Sequence, residues 1–501
     1  MRGLRRLMSP RWCCALVSAL AYCRCSPVPE GPRRKIFDLH LNTPIEAPAP
    51  MAVRRLQAQA DGGRRLRERM HHGCDLGNYD NVQYHLRISV GTSCSGSTGG
   101  EQPFEVVPDT GSSDLWIPAD NCTHCRDATK KFHITRSCSA KQLGDRITFR
   151  YGDGTTAVGG SFLDVVRIGD LVVREQFMIQ VDSVESDTHM KSDGILGLAH
   201  HYVADRGDRG ATFMSTLFKE HSQMPHMFSF YLTGNTDQPS RLIFGEPHMQ
   251  AHSKESEFRY GKGYYMQHTD LWLTSVWSIG WAGTGVEVAF ADRGTLGSPA
   301  LIDSGSSLIV LAPEIYDHLI SELKWRFSNC RELTEQQIIS CDCPPANDLS
   351  RVPSLVINVI DENNQQFPLC MTPDEYILES MDPIDGRSAC VPALQRGSPT
   401  QPVPLIFGMT FMRSFYTNFD VENRRIGFAR SNLSPLPPLA MCMVDAQPVL
   451  RRSIWITSVL VALLSVTFTC YVLCAPKGFL SSTCSCCCGR GFATSDADGK
   501  I

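Results

Sequence analysis

VVPDTGSSDLW at Val106–Trp116 and LIDSGSSLIV at Leu301–Val310 are two similar stretches of one 501-residue chain. Each places Asp-(Thr/Ser)-Gly-Ser-Ser directly after an apolar run. A second pair of motifs follows in the same order, since ILG at 195–197 comes after the first stretch and IFG at 406–408 comes after the second. This repeated order predicts a duplicated fold, in which two similar lobes each contribute one Asp loop to a shared cleft.

The sequence around these motifs is typical of a mainly β protein. From Tyr84 to Arg430, short runs of Val, Ile, Phe and Thr alternate with Gly, Asp and Asn turns, as in RITFRYGDG and SLVINVI. Helical windows are few and short, and one of them is Pro313–Phe327, which opens with Pro-Glu. We therefore expect an N-terminal lobe over 73–250 and a C-terminal lobe over 251–432.

The two Asp loops carry the groups needed to hydrolyse peptides by general acid–base catalysis. Glycine permits a tight turn, and the loop hydroxyls can donate hydrogen bonds to the carboxyl oxygens. Two facing carboxyls cannot both ionise cheaply, so they share one proton and activate a water molecule without a metal or cofactor. The candidate catalytic residues are Asp109 and Asp303, and supporting hydrogen bonds are expected from Thr110, Gly111, Ser112, Ser304, Gly305 and Ser306.

Further motifs between Tyr84 and Arg430 resemble one family. DTGSSDLWIP, FRYGDGT, DGILGLA and IFGMTFMRSFYTNFDVENRRIGFA are all similar to segments of the pepsin family of eukaryotic aspartic proteases. The resemblance implies a bilobal, mainly β fold with a central cleft for a peptide substrate. It also implies a flap that closes over the cleft, whose tyrosine hydrogen-bonds to the tryptophan of the first loop. The implied flap residues are Tyr151, Gly152, Asp153 and Gly154, with Trp116 as the partner.

Three positions depart from the family pattern. Pro108 precedes the first Asp, where an apolar residue is more usual, and we expect its missing N–H to distort the strand locally. Ser304 replaces the commoner Thr but keeps the hydroxyl, and Met409 replaces a frequent Asp. The alternative function is a catalytically silent substrate-binding protein on the same fold, and Pro108 is the feature that favours it.

Cysteine usage indicates an oxidising compartment. The chain has 21 cysteines, and the eleven from Cys74 to Cys442 suit disulfides. The family resemblance implies a small loop formed among Cys122, Cys125 and Cys138, and a bridge from Cys330 to Cys341 or Cys343. Cys370 with Cys390 and Cys74 with Cys94 are further possible pairs, and an odd number leaves one thiol over. A zinc or redox motif is the alternative at Cys122-x-x-Cys125, although no second half is evident.

The N-terminus predicts entry into the secretory pathway. Four arginines precede an apolar run over 12–22, which is typical of a signal peptide, here assigned to 1–25. Residues 26–72 are Pro-rich and contain basic pairs. They are interpreted as a removable pro-segment, with a disordered linker as the alternative.

The C-terminal part predicts a membrane anchor. Ile454–Cys474 carries no charge and is long enough for one transmembrane helix. It follows a stalk at 433–453 and precedes a Cys-rich cytosolic tail at 475–501, for which S-acylation and a metal site are alternatives. The signal peptide sets a type I orientation, although the cations around the span do not clearly obey the positive-inside rule. The net charge of −4 gives no reason to expect a nucleic-acid partner, and we expect a monomer.

Overall fold

The computed structural model describes part of the chain. The described residues are 71–439, with gaps at 97, 124, 126–129, 153, 186–190, 200–210, 235–237, 265, 267–270, 291–295 and 382–387. The predicted signal peptide, transmembrane helix and cytosolic tail lie outside the described residues, as does nearly all of the predicted pro-segment. Within the described ranges, no helix is long and apolar enough to cross a membrane.

The first half of the described chain is built almost entirely of strands. They are β1 (His71–Tyr79), β2 (Gln83–Val90), β3 (Gln102–Asp109), β4 (Leu115–Pro118), β5 (Lys141–Arg150), β6 (Thr156–Ile168), β7 (Leu171–Glu185), β8 (Gly194–Gly197), β9 (Met227–Tyr231) and β10 (Ser240–Gly245). The helices here are a 3-10 turn at Ile134–Arg136, α1 (Phe213–Glu220) and α2 (Met249–His252). Strands such as β2 and β6 alternate buried and partly exposed residues, as expected of strands with one face on a core.

The second half has the same character. Its strands are β11 (Arg259–Gly261), β12 (Leu273–Trp281), β13 (Glu287–Ala289), β14 (Ser298–Ile302), β15 (Ile309–Leu311), β16 (Ser328–Leu333), β17 (Ile338–Asp342), β18 (Leu355–Ile360), β19 (Gln366–Met371), β20 (Ile377–Met381), β21 (Ser388–Pro392), β22 (Leu394–Arg396), β23 (Leu405–Phe407), β24 (Phe415–Asp420) and β25 (Arg425–Arg430). The helices are α3 (Pro313–Arg326), a 3-10 turn at Pro345–Asn347, α4 (Pro373–Tyr376) and α5 (Met409–Ser414). The helix expected at Pro313–Phe327 is therefore present as α3.

Each lobe carries the same arrangement around its Asp loop. The loop joins two strands, and a third strand from later in the lobe passes between them. β8 pairs parallel with β3 and antiparallel with β4. In the second lobe, β23 pairs parallel with β14 and antiparallel with β15. The two apolar-apolar-Gly motifs of the sequence therefore form equivalent strands, and the fold is duplicated.

One sheet runs continuously from the first lobe into strands of the second half. Its order is β11-β25-β24-β9-β10-β1-β2-β3-β8-β4-β7-β6-β5. At the junction between β9 and β24, Phe228 lies opposite Phe419, and the two rings stack with their centroids 4.7 Å apart. Trp272 packs edge-on against both rings. This buried aromatic cluster therefore holds the two halves of the chain together.

Two further sheets complete the second lobe. The first has the order β19-β18-β12-β14-β23-β15-β22, with β13 paired to β12, and the second has the order β16-β17-β21-β20. The strand β14, which leads to the second Asp loop, is buried at every residue. Because both of its faces are covered, the start of that loop is fixed by core packing.

Four disulfides join described cysteines. They are Cys94–Cys138, Cys122–Cys125, Cys330–Cys341 and Cys343–Cys390. Cys330 thus uses one of the two partners left open by the sequence, and Cys122 with Cys125 forms a disulfide. The expected pair Cys370–Cys390 is wrong, because Cys390 lies on β21 beside the end of β17, whereas Cys370 lies on β19 in another sheet. Cys370 is itself disulfide-bonded.

The expected pair Cys74–Cys94 is also wrong. Cys74 is a free thiol on β1, buried within the core of the first lobe. Burial, with smaller contributions from Asp75 and Asp170, raises the pKa of this thiol to about 12. The thiol is therefore protonated and inert at physiological pH.

Two of the expected segments overlap residues that the structure describes. β1 begins at His71, so the predicted pro-segment 26–72 overlaps the first strand. At the other end, Ser434 and Leu439 are buried against the domain. The first residues of the predicted stalk, 433–453, therefore pack against the lobes rather than extending away from them.

Candidate active site

The first Asp loop begins where β3 ends. The carbonyl of Asp109 accepts a hydrogen bond from the N–H of Leu198 at 2.7 Å, which fixes the backbone. Its carboxyl accepts from two donors, the N–H of Gly111 at 2.8 Å on Oδ1 and the hydroxyl of Ser112 on Oδ2. Asp109 is only 6% exposed. The carboxyl is therefore held in one orientation within a largely dehydrated site.

The second Asp loop has equivalent donors. The N–H of Asp303 donates to the carbonyl of Phe407 on β23 at 3.0 Å. The N–H of Gly305 donates to Asp303 Oδ1 at 2.8 Å, and the hydroxyl of Ser306 donates to Oδ2 at 2.6 Å. The two loops therefore orient their carboxyls in the same way.

Thr110 and Ser304 have a role that differs from the expected one. We expected their hydroxyls to bind carboxyl oxygens, but each points into the opposite loop. The N–H of Thr110 donates to Ser304 Oγ at 3.0 Å, and the N–H of Ser304 donates to Thr110 Oγ1 at 2.9 Å. Thr110 Oγ1 in turn donates to the carbonyl of Ile302 at 2.8 Å, and Ser304 Oγ donates to that of Pro108 at 2.6 Å. These four buried hydrogen bonds lock the loops to each other.

The two glycines allow the carboxyls to approach one another. A Cβ atom added to Gly111 would lie 2.6 Å from Asp303 Oδ1, and one added to Gly305 would overlap Asp109 Oδ1. Each carboxyl thus packs against the backbone of the opposite loop. Only a residue without a side chain leaves room for this arrangement.

Burial and the neighbouring charge of Asp303 raise the pKa of Asp109 well above its usual range, and desolvation is the larger cause. The hydrogen bonds from Ser112 and Gly111 oppose this shift because they favour the ionised form. Two carboxyls in contact titrate as a pair. The site therefore favours a state in which the pair holds one proton.

A hairpin of β5 and β6 ends in the segment expected to be the flap. The N–H of Tyr151 donates to the carbonyl of Thr155 at 2.9 Å, and the N–H of Gly154 donates to that of Tyr151 at 3.1 Å. Gly154 has φ +90°, a conformation that favours glycine. Gly152 is exposed at this tip, and Asp153 lies outside the described residues.

Trp116 connects the flap to the first Asp loop. Its indole N–H donates to the phenol oxygen of Tyr151 at 2.7 Å. The ring is buried and packs in a cluster with Ile147 and Ala157, which lie on the two flap strands. The position of Tyr151 is thus tied to the strand that follows Asp109.

Pro108 leaves its strand intact, so the expected distortion is wrong. β3 pairs with β8 in unbroken register from Val106 to Asp109. The carbonyls of Glu105 and Asp109 face β8 and accept hydrogen bonds there. The carbonyl of Pro108 faces the other way and accepts from Ser304. The N–H and C=O of one strand residue point to the same side, so an N–H at position 108 would also point away from β8. The proline therefore removes no hydrogen bond from the β3–β8 ladder.

Several supporting residues gave no sequence signal. The indole N–H of Trp272 donates to the carbonyl of Leu198 at 2.9 Å, and its own carbonyl accepts from the N–H of Ile302 at 3.0 Å. Trp272 thus contacts the strands of both lobes beside the site. A single Trp in a strand-like run cannot be told from a core residue, because its partners are distant in sequence. The same holds for Thr410, which donates to the carbonyl of Ser307 in the second loop, and for Arg413, which donates to the carbonyl of Asn81.

Two β lobes with one carboxyl each, cross-linked at a common site, define the aspartic protease class. The chain belongs to the eukaryotic aspartyl protease family, whose model matches residues 83–431. It is 29% identical over 361 residues to pregnancy-associated glycoprotein 2 of Bos taurus, covering 71% of this chain and 84% of that protein. It is 27% identical over 368 residues to cathepsin D of Chionodraco hamatus, covering 71% and 83%. It is 26% identical over 375 residues to pepsin A of Gallus gallus, covering 72% and 86%.

Proposed function

We propose that this protein is an aspartic endopeptidase that uses Asp109 and Asp303 as its catalytic pair. The observation that carries the proposal is the cross-linked pair of loops. Four hydrogen bonds through Thr110 and Ser304 hold the loops together, and two glycines bring the carboxyls into contact. A core that needed only to be stable would not bring a second carboxyl against the buried Asp109, because their mutual repulsion is unfavourable.

In the proposed reaction, one water molecule lies between the two carboxyls. The ionised carboxyl accepts a proton from this water as its oxygen attacks the carbon of the scissile amide, while the protonated carboxyl donates to the amide oxygen. As the resulting diol collapses, the carboxyl that took the proton from water donates it to the amide nitrogen, the other carboxyl takes a proton back from a diol hydroxyl, and the C–N bond breaks to release an amine and a carboxylic acid. The raised pKa of Asp109 keeps one proton on the pair over a wide pH range. Closure of the flap through Tyr151 and Trp116 would exclude bulk water from this step.

The disulfides and the family indicate a secreted or lumenal protein. We further propose a type I membrane protein, made as a zymogen and anchored through 454–474, that processes proteins in the secretory or endosomal pathway as a monomer. The charge-free span and the basic, Pro-rich segment before the first strand support this. Peptides or proteins are the proposed substrates. We do not propose the alternative function, a catalytically silent substrate-binding protein, because Pro108 leaves strand β3 intact and so no longer favours it.

Cleavage of a peptide library between pH 3 and 7 tests the proposal, with the chain expressed in full and its pro-segment removed before the assay. We expect cleavage by the wild type and a loss of at least about a thousandfold in kcat for both Asp303→Asn and Asp109→Asn. Trp325→Ala is a suitable control, because Trp325 is 79% exposed on α3. Equal cleavage by the wild type and Asp303→Asn would overturn the assignment.

A further inference from the structure

The turn of the first hairpin reaches from the first lobe to the second Asp loop. β1 and β2 are joined at a turn in which Asp80 and Asn81 have positive φ values of 49° and 60°. The side chain of Asn78 fixes this turn, because its Nδ2 donates to Asn81 Oδ1 at 2.8 Å and its Oδ1 accepts from the N–H of Asn81 at 2.9 Å. Asn78 Nδ2 also donates to the carbonyl of Thr233 at 3.0 Å. The turn is thus held firmly from within its own lobe.

A closed ring of hydrogen bonds connects this turn to the second Asp loop and to α5. Ser307 Oγ donates to the carbonyl of Val82, and Arg413 Nη1 donates to that of Asn81 at 2.6 Å. Arg413 Nη2 donates to Thr410 Oγ1 at 3.3 Å, and Thr410 Oγ1 donates to the carbonyl of Ser307 at 2.9 Å. The ring therefore returns to the residue at which it began, and a displacement of one member affects the others.

One member of this ring, Ser307, lies next to the residue whose side chain binds the second carboxyl. Ser307 directly follows Ser306, whose hydroxyl donates to Asp303 Oδ2 at 2.6 Å. The N–H of Met409, next to Thr410 on α5, donates to the carbonyl of Ser306 at 2.8 Å. A movement of Ser307 or α5 is therefore transmitted to the side chain that orients Asp303.

We propose that this ring is a brace that sets the position of Asp303, and that Ser307 and Arg413 are positioning residues for the reaction. The inference rests on the proposed function and assigns part of the catalytic geometry to the first hairpin. A purely structural reading would have the ring merely stabilise the junction between the lobes. The two readings differ in whether turnover depends on the ring once the protein is folded and substrate is bound.

Four variants of the full chain separate these readings. Ser307→Ala removes one donor, and Arg413→Gln removes the guanidinium. Arg413→Lys keeps a cation that can reach one acceptor, so it tests for rescue. Arg425→Gln is the matched control, because Arg425 lies on the neighbouring strand β25 and pairs with Asp420 and Glu362. Turnover of a soluble peptide, its pH profile and thermal unfolding are measured for each variant.

We expect Ser307→Ala and Arg413→Gln to lower kcat by roughly 10- to 100-fold with KM changed less than about twofold, because a small displacement of a catalytic group slows the chemical step. Arg413→Lys should recover part of this loss, and Arg425→Gln should lose none. A fifth protein that combines Ser307→Ala with Arg413→Gln should be no slower than the slower of these two single variants, since both changes release the same brace. The upper limb of the pH profile should move to lower pH, because a displaced Asp303 acts less strongly on Asp109.

Each outcome bears on a different claim. If the wild type cleaves no peptide, the proposed function fails and the brace fails with it. If the wild type cleaves while Ser307→Ala and Arg413→Gln keep their kcat and pH profile and lose only thermal stability, the brace alone is overturned. If Arg413→Gln does not fold, Ser307→Ala decides, because it deletes a single hydroxyl. An unchanged kcat and pH profile in that variant would overturn the inference.

Discussion

Removal of the Ser304 hydroxyl tests whether the two Asp loops depend on each other. In Ser304→Ala, the N–H of Thr110 loses its acceptor and the carbonyl of Pro108 loses a donor, and all three residues are buried. A buried polar group left without a partner costs about 1–3 kcal/mol. With two such groups, we expect the free energy of unfolding to fall by roughly 2–6 kcal/mol. Ser304→Thr, which keeps the hydroxyl, is the matched control.

Urea unfolding of the full chain, followed by tryptophan fluorescence, measures this change, and peptide turnover is measured in parallel. We expect the urea midpoint and kcat of Ser304→Ala to fall together, because the same hydroxyl holds the loops and the carboxyls. The wild type and Ser304→Thr should behave alike in both assays. A midpoint and kcat for Ser304→Ala that equal those of the wild type would refute the idea that the cross-link sets the geometry of the site.

Three other changes probe separate parts of the molecule. Gly111→Ala should lower kcat by about a hundredfold with little loss of stability, because the Cβ of the alanine would lie 2.6 Å from Asp303 Oδ1 and displace that carboxyl. An unchanged kcat would contradict this contact. Trp116→Phe should lower kcat/KM by about two- to tenfold through loss of the hydrogen bond to Tyr151, and an unchanged value would show that the bond does not assist closure. Burial, the largest cause, lowers the pKa of His252 to about 4 from 6.5. The wild type should therefore lose up to about 3 kcal/mol of stability as pH falls from 6.5 to 4, because the unfolded chain takes up the proton first. Urea unfolding across this pH range should show a smaller loss in His252→Phe. Equal losses in the two proteins would contradict the lowered pKa of His252.

The duplicated fold could be predicted because its signal is local and repeated. The two Asp stretches and the two apolar-apolar-Gly stretches lie in short segments, and each segment became the expected strand or loop. The hydrogen-bond donors Gly111 and Ser112 could also be predicted, since they are near Asp109 in the sequence. Local motifs therefore identified the carboxyls and their nearest partners.

The parts that sequence reasoning missed depend on contacts between distant segments. Thr110 and Ser304 were assigned to carboxyls because each is next to an Asp, whereas the fold turns them toward a loop nearly 200 positions away. Cys343 pairs with Cys390 because of the order of strands in a sheet, which spacing does not reveal. Pro108 looked unfavourable because the sequence does not show which way a strand residue points.

Titration of the full chain with a statine-type transition-state mimic tests the central claim most directly. Such a molecule places its hydroxyl where the activated water would lie, so it needs both carboxyls and one shared proton. We predict tight binding of one molecule per chain, with at least about a hundredfold weaker binding by Asp109→Asn and by Asp303→Asn. Equal affinity in the wild type and both variants would contradict the claim that Asp109 and Asp303 form one catalytic pair.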